Sequence, residues 1–268
     1  MASVVLKNVS KLFIINNEPF QALKDISFEI GEQEFVSIIG PSGCGKSTIL
    51  RLIGGLLFPD EGEIDVCGMS PTEARKNRMY SFVFQDAVLF PWRSVIQNVQ
   101  LPMEINQKFD KKASHKKATE LLKLVGLSGF EEASPNQLSG GMRHRVALAR
   151  ALMSSPPLIF MDEPFAALDE ITRDRMNLEL LRIWSETKSS IVFVTHSIEE
   201  AVFLSDRVIV LSTRPGEKVA DIKIDLPRPR KLELKQNEES FVYSNEIRKL
   251  LASVTQKAAE QTGMNNLP

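Results

Sequence analysis

The chain has 268 residues, 43% of them hydrophobic, and its 33 basic residues against 34 acidic residues leave a formal charge of -1. A chain of this length can bury a sizeable core. The balanced charge argues against a protein whose main activity is holding nucleic acid by counterion release. The two cysteines, Cys44 and Cys67, lack a metal-ligand spacing and are expected to be free thiols in a reducing compartment.

The sequence shows no pattern typical of a targeting signal or a membrane-spanning helix. The first ten residues carry no basic leader followed by an apolar stretch. No apolar run approaches the roughly 18 residues that a membrane-spanning helix needs. We therefore expect a cytoplasmic protein that contacts any membrane through a partner.

Short β-branched runs alternate with longer helix-period segments, which predicts an α/β domain with a mainly parallel core sheet. Strands are predicted at Val4 to Val9, Ile26 to Ile30, Phe35 to Ile39, Glu63 to Val66, Tyr80 to Phe84, Leu158 to Met161, Ile191 to Thr195 and Val208 to Leu211. Helices are predicted at Lys46 to Leu57, Ser114 to Val125, Gly140 to Met153 and Glu170 to Glu186. The first, second and fourth strands should form an antiparallel N-terminal portion, because their connections are too short for crossover helices.

Two segments depart from this alternation. From about Ser94 to Gly126 the chain is helical in pattern, which predicts an inserted helical subdomain of about residues 94–155 that could bind a partner. The run Leu226 to Arg230 alternates proline and arginine, which is typical of an extended linker. We therefore expect a main domain at residues 1–226, and a linker with a C-terminal helix, about Glu239 to Gln261, in residues 227–268.

A phosphate-binding motif lies between a predicted strand and a predicted helix. The pattern G-x-x-x-x-G-K-[ST] is satisfied within Gly40-Pro41-Ser42-Gly43-Cys44-Gly45-Lys46-Ser47-Thr48. Glycines allow backbone N–H groups to surround phosphate oxygens, and the helix N-terminus adds its positive dipole end. Lys46 would bind the β and γ phosphates, and the Ser47 hydroxyl would ligate Mg²⁺.

Two adjacent acids follow a later apolar strand. Asp162 ends the run Leu158 to Met161, where a carboxylate could hold the metal ion. Glu163 could polarise a water aimed at the γ-phosphate and act as general base. Solvated turn acids are the alternative. Together with the phosphate loop, this pair predicts a P-loop NTPase.

The family is indicated by the run Leu138-Ser139-Gly140-Gly141-Met142-Arg143, which closely resembles the signature motif of ATP-binding cassette proteins. Ser139 is also a good N-cap, so an ordinary capped helix is the simpler alternative. The resemblance, which extends from Val4 to about Leu226, implies a helix that points at the γ-phosphate held by a second copy of the chain. ATP, with Mg²⁺, would then lie at a homodimer interface.

Other cassette elements occur in the family's order. By resemblance, Gln85 reaches the metal and the attacking water, His196 contacts the γ-phosphate and acts in catalysis, and Phe13 stacks on adenine. The loop that crosses between subunits matches Ala167-Leu168-Asp169. Gln85 could instead cap its strand, Asp169 could cap the next helix, and His196 and Phe13 could be structural.

Two positions depart from the family pattern. Ser197 follows the switch histidine where the family often has Asp, and His144 stands where glutamine is commoner. Neither change removes a catalytic group. Both could alter the orientation of one.

Four segments resemble the importers for nitrate, aliphatic sulfonates and taurine: Leu89 to Val95, Asp162 to Asp169, Ile198 to Ala201 and Pro227 to Arg230. The resemblance implies an ATPase at the cytoplasmic face of the membrane, assembled from two copies of this chain, two separate membrane permease subunits and an extracytoplasmic solute-binding protein. The corner at Pro91 and Trp92 would receive the permease, or else bury a core tryptophan.

Three other classes remain as alternatives. A soluble cassette ATPase acting on ribosomes or nucleic acid would usually carry two cassettes or a long coiled coil. A GTPase or small-molecule kinase would leave the signature unexplained, and the guanine-reading Asn-Lys-x-Asp is absent. A binding module without catalysis would not need Glu163 and His196.

Overall fold

The structure is a computed structural model that describes residues 2–105, 110–166 and 168–261. The chain divides into two compact units, of which the first comprises the described part of residues 1–79 and 190–268, and the second that of residues 80–189.

The strands and helices are numbered separately in chain order. The strands are β1 (Ala2–Ile15), β2 (Glu18–Gly31), β3 (Phe35–Ile39), β4 (Glu61–Val66), β5 (Tyr80–Val83), β6 (Leu158–Asp162), β7 (Ser190–Thr195), β8 (Arg207–Leu211) and β9 (Lys218–Lys223). The helices are α1 (Lys46–Ile53), α2 (Pro71–Lys76), α3 (Val95–Glu104), α4 (Lys111–Leu124), α5 (Gly140–Leu152), α6 (Glu170–Thr187), α7 (Ile198–Leu204) and α8 (Glu238–Gln261).

The first unit contains the predicted antiparallel N-terminal sheet, with strand order β2-β1-β4. β1 and β2 are longer than predicted and form a hairpin through Asn16 and Asn17, which have φ values of 53° and 64°. Asparagine tolerates this left-handed backbone, and two such residues match the tight turns that suit the twist of a hairpin. The expected antiparallel portion is confirmed.

Parallel strands form the core of the same unit. β3 lies between β7 and β8 and pairs in parallel with both, while β9 pairs antiparallel with β8. All five residues of β3 are buried, which is typical of a parallel strand covered on both faces. The phosphate loop therefore follows a rigid central strand.

The proline–arginine segment is held against α7, although its composition predicts a linker. Arg228 pairs with Asp206 at 2.7 Å. Arg230, only 6% exposed, donates to the backbone carbonyls of Val202, Phe203 and Ser205 at 3.1, 2.9 and 2.9 Å. The guanidinium thus satisfies carbonyl groups at the C-terminal end of α7, where a cation also complements the helix dipole. Burial, and next the charge of Arg228, lower the pKa of Arg230 to about 10.

Arg230→Met should destabilise the first unit by about 2–4 kcal/mol, because the carbonyls at the end of α7 lose a charged donor while staying buried. Urea unfolding followed by circular dichroism measures this change. Arg248→Met is the matched control. Arg248 of α8 pairs with Glu199 of α7 at 3.0 Å, and both side chains are more than half exposed. Such pairs contribute about 0–1 kcal/mol, so equal losses in the two variants would contradict the role assigned to Arg230.

The second unit contains the parallel pair β5 and β6 together with helices α3, α4, α5 and α6. α5 packs against α3, α4 and β5, and its residues Val146 and Ala149 are fully buried. Both predicted strands of this unit are confirmed. The helical pattern from Ser94 to Gly126 corresponds to α3 and α4, apart from residues 106–109, which lie outside the described part of the chain.

Candidate functional site

The phosphate loop connects β3 to α1 in the first unit. Lys46 begins α1 and is 6% exposed, and its Nζ donates to the carbonyls of Gly40 at 2.9 Å and Pro41 at 3.2 Å. These contacts fold the lysine back over the loop, where its charge is available to phosphate oxygens. Ser47 and Thr48 lie in the first turn of α1.

Close packing explains the glycine that precedes Lys46. Gly45 has a φ of 99°, and a Cβ built on it would lie 2.5 Å from Leu23 Cδ2. Only glycine adopts this backbone readily and admits such an approach. The loop is thereby pressed against β2.

A second basic side chain lies at the loop, and motif reasoning missed it. A Cβ built on Gly43 would lie 3.2 Å from Arg214 Nη2, and the Arg214 guanidinium lies 5.8 Å from the ring centroid of Phe20. Arg214 comes from the connection between β8 and β9. No local pattern connects it with the phosphate loop, so only the fold reveals this neighbour.

The predicted adenine-stacking residue lies on the N-terminal hairpin. Phe13 of β1 is directly opposite Phe20 of β2, so the two rings project from the same face of the sheet. Lys11 Nζ lies 5.5 Å from the ring centroid of Phe13. Phe13 is half-buried, a position that leaves part of the ring accessible to a flat ligand.

The predicted switch histidine is the exposed residue His196, between β7 and α7. Ser197 caps α7 by accepting a hydrogen bond from Glu200 N at 3.2 Å. Thr195 Oγ1 donates to Glu200 Oε2 and accepts from Ser197 N at 3.1 Å. The backbone on both sides of His196 is therefore held, and Ser197 performs the capping that Asp would also perform.

The two adjacent acids lie at the end of β6 and directly after it, in the second unit. Asp162 is 9% exposed and is the last residue of the strand. Glu163 follows with a φ of 44°. This is a left-handed backbone, which Glu163 shares with nine other non-glycine residues among those that the structure describes.

Gln85 lies just after β5, in the same unit, and is exposed. Its backbone carbonyl is 2.9 Å from His144 Nε2, and the other ring nitrogen of His144 is 3.0 Å from the carbonyl of Gly140. His144 is 7% exposed. His144, which stands where glutamine is commoner in the family, thus joins the segment after β5 to the start of α5.

The signature run begins α5. Ser139 Oγ caps the helix by accepting from Met142 N at 3.3 Å, and Arg143 donates to the carbonyl of Leu138 at 2.8 Å. The capping alternative is therefore realised, and Ser139 remains exposed. Gly140 and Gly141 form the first turn, where backbone N–H groups favour an anion.

The predicted dimer loop lies against the signature. A Cβ built on Gly141 would lie 3.3 Å from Thr172 Cγ2 and 3.5 Å from Leu168 Cδ2. Asp169 caps α6, accepting from Thr172 N at 3.0 Å, and this backbone bond is the main cause of its lowered pKa. Ala167 lies outside the described residues.

Magnesium fits the donors that the sequence assigns to it. The Ser47 hydroxyl, the Gln85 amide oxygen and the Asp162 carboxylate are hard oxygen ligands, and Mg²⁺ usually takes one or two carboxylates and completes its shell with phosphates and water. Within residues 2–105, 110–166 and 168–261, no cluster of three or more His, Cys, Asp or Glu side chains forms a metal site. Across those same ranges, no helix has the length and apolarity to cross a membrane.

Several apolar side chains of the second unit are exposed. Trp92 is 75% exposed and contacts Phe90, with ring centroids 5.1 Å apart. The other exposed members among the described residues are Phe84, Val88, Ile105, Phe130 and Ile171. Trp92 is therefore not the core tryptophan that the sequence left as an alternative.

Known proteins resemble this chain along most of its length. A family profile described as "ABC transporter" matches residues 23–166. An aliphatic sulfonates import ATP-binding protein, SsuB of Bacillus cereus, is 42% identical, over 92% of this chain and 93% of that protein. The nitrate import ATP-binding protein NrtD of Synechocystis sp. is 43% identical, over 92% of this chain and 94% of that protein.

A solved structure extends the likeness to the fold. It is the dimeric post-hydrolysis state of the ATP-binding cassette MJ0796 bound to ADP and Pi, 37% identical to this chain, with a TM-score of 0.72. The match covers 84% of this chain and all of that one. The fold class and the resemblance predicted from the sequence are confirmed: the chain belongs to the ABC transporter family and is an ATP-binding cassette ATPase.

Proposed function

We propose that this chain is the ATP-hydrolysing subunit of a multi-subunit importer for a small anionic solute such as nitrate, a sulfonate or taurine. The observation that carries the proposal is identity above 40%, over more than nine-tenths of the chain, to two import ATP-binding proteins whose named solutes are anions. The same observation disfavours a ribosomal or nucleic-acid role.

Residues of the first unit bind the nucleotide in this proposal. Lys46 and the backbone of the phosphate loop neutralise the β and γ phosphates, and Ser47 supplies a metal ligand. Phe13 stacks on adenine, and His196 donates to the γ-phosphate. Three observations support these roles: Lys46 is folded back over the loop, the loop packs closely at Gly45, and Phe13 is half-buried.

Residues of the second unit act on the terminal phosphate. Asp162 and Gln85 complete the metal ligands, and Glu163 accepts the proton of the attacking water. Bound Mg²⁺ would neutralise charge on the β and γ phosphates. Its position directly after Asp162 at the end of β6 supports this role, because the carboxylate then follows a metal ligand in the chain.

Two copies of the chain would enclose two ATP molecules. Ser139, Gly140 and Gly141 of one copy contact the γ-phosphate held by the other, with Leu138 and Met142 flanking them, and Ala167, Leu168 and Asp169 cross the interface. Because these γ-phosphate contacts exist only in the closed dimer, ATP binding favours closure and its cleavage releases it. The dimeric state of the cassette MJ0796 supports this arrangement.

The transport partners are two membrane permease subunits and an extracytoplasmic solute-binding protein, which place the chain at the cytoplasmic face of the membrane. Exposed Trp92 and Val88 support the docking of a permease helix on the second unit, since large aromatic side chains anchor interfaces. The solute would contact the partners and not this chain.

The test is reconstitution of the chain with candidate permease and solute-binding subunits from the same organism. In proteoliposomes, ATP turnover should rise when the solute-binding protein is loaded from a panel of nitrate, an alkanesulfonate and taurine. Lys46→Ala, which removes the phosphate-binding charge, should abolish both turnover and uptake. Co-purification with ribosomes and turnover indifferent to every solute would contradict the proposal.

A further inference from the structure

One side chain on α5 contacts two backbone carbonyls from different parts of the second unit. His144 Nδ1 is 3.0 Å from the Gly140 carbonyl, one turn earlier in the same helix. His144 Nε2 is 2.9 Å from the carbonyl of Gln85, which is 59 positions away in the chain. The ring is 7% exposed, so solvent does not compete freely for either contact.

Carbonyl oxygens only accept hydrogen bonds, so the ring must be the donor. A neutral imidazole carries one N–H and donates to one carbonyl at a time, whereas a protonated ring donates to both. The ring is rigid and occupies the space between the two carbonyls. It therefore sets the separation between the backbone of Gln85 and the first turn of the signature helix.

α5 holds the same segment at a second point. Arg150 Nη1 donates to the carbonyl of Val88 at 2.7 Å, and burial lowers the pKa of this arginine. Further along the segment, the fully buried Asn98 of α3 accepts from Phe90 N at 2.8 Å and donates to Phe90 O at 3.2 Å. Residues 85–90 thus follow the helices through backbone contacts rather than moving as a free loop.

We propose that His144 is a positioning residue that fixes Gln85 relative to the signature helix, so that the glutamine and residues Ser139 to Gly141 move as one body when the cassette closes. The inference rests on the proposed function, because Gln85 acts there on the ATP bound by its own copy, whereas the signature of the same copy contacts the γ-phosphate held by the other copy. His144 is assigned no contact with nucleotide or metal in that function.

The position of the tether predicts which kinetic constant changes. Nucleotide binding depends mainly on the phosphate loop and Phe13, which lie in the first unit. Loss of the tether would displace Gln85 without altering those contacts. Displacement by about 1 Å can cost about a hundredfold in rate, so the effect should fall on kcat and not on the KM for ATP.

The experiment compares His144→Leu with His144→Gln in the full chain. His144→Leu should lower kcat by about tenfold to a hundredfold with KM for ATP within about twofold of wild type. His144→Gln should recover most of the rate, because its amide can still donate to a carbonyl. His115→Leu is the matched control: it removes an exposed histidine from α4 and should leave both constants unchanged.

Hydrogen–deuterium exchange separates positioning from a general loss of folding. His144→Leu should raise exchange in residues 85–90 and leave residues 40–48 unchanged. Three results would overturn the inference. They are a wild-type kcat in His144→Leu, a rise in the KM of His144→Leu as large as its fall in kcat, and a kcat in His144→Gln as low as that of His144→Leu. If the wild-type chain itself hydrolyses no ATP, the proposed function fails. If the wild-type chain hydrolyses ATP and the His144 variants have the same kcat and KM, the inference alone fails.

Discussion

Glu163→Gln is expected to lower ATP turnover by about a hundredfold or more while leaving ATP affinity within about twofold of wild type. The amide keeps the shape of the side chain but cannot accept a proton from water. The substitution replaces no residue of the phosphate loop, to which ATP binding is assigned. Turnover is measured as phosphate release at saturating ATP, and affinity by equilibrium dialysis with labelled ATP.

The same variant tests the dimer. Because cleavage is blocked, Glu163→Gln should accumulate as a closed dimer in ATP, which light scattering detects as a doubling of mass. Glu120→Gln, the same replacement at an exposed position of α4, serves as the control and should turn over ATP normally. Near-normal hydrolysis by Glu163→Gln would exclude this residue as the base.

Gly216→Ala is expected to weaken ATP binding by about tenfold or more, although no motif includes this position. A Cβ on Gly216 would lie 2.1 Å from the carbonyl oxygen of Cys44 in the phosphate loop. Two backbone hydrogen bonds also hold Gly216 against β2: its N–H donates to Ala22 O at 3.0 Å, and its carbonyl accepts from Lys24 N at 3.0 Å. The clash can therefore be relieved only by moving the loop, and overpacking of this kind costs about 1–3 kcal/mol.

Gly31→Ala is the control for this substitution. Its Cβ would lie 3.2 Å from Glu34 Oε2, which accepts from Gly31 N at 2.6 Å and pairs with Arg207. These groups lie at the end of β3 opposite to the phosphate loop, so strain here should lower stability and leave ATP affinity unchanged. ATP affinity and the thermal midpoint should both be followed, because part of the strain in Gly216→Ala could appear as lost stability. Wild-type values of both in Gly216→Ala would show that the loop does not rest on Gly216.

Local sequence patterns predict most of the strands and helices that form the core. They predict β3 to the residue, since a run of five buried residues between turns has few alternatives. They also predict that the helix after the phosphate loop reaches Leu57, but it ends at Ile53. Gly54 caps it and Gly55, with a φ of 57°, turns the chain. The predicted boundaries at residue 226 and about residues 94–155 stay predictions.

Short and exposed elements escape prediction. α2 and α7 have six and seven residues, too few for a helical period to stand out. β9 is a largely exposed strand with lysines at both ends, and its burial pattern shows a single buried residue. The proline–arginine run has the composition of a linker, because composition does not reveal that Arg230 finds buried carbonyls on α7.

Motif residues can be identified from amino-acid order because the chemistry demands fixed spacing within one turn or loop: Gly45 before Lys46, Ser139 before the glycine pair, Glu163 after Asp162. The residues that hold those motifs in place cannot be identified from amino-acid order. Arg214, Gly216 and the carbonyl partner of His144 lie far away in the chain from the groups they contact. Such contacts depend on strand order and close packing, which satisfy backbone groups and exclude overlap only after the chain has folded.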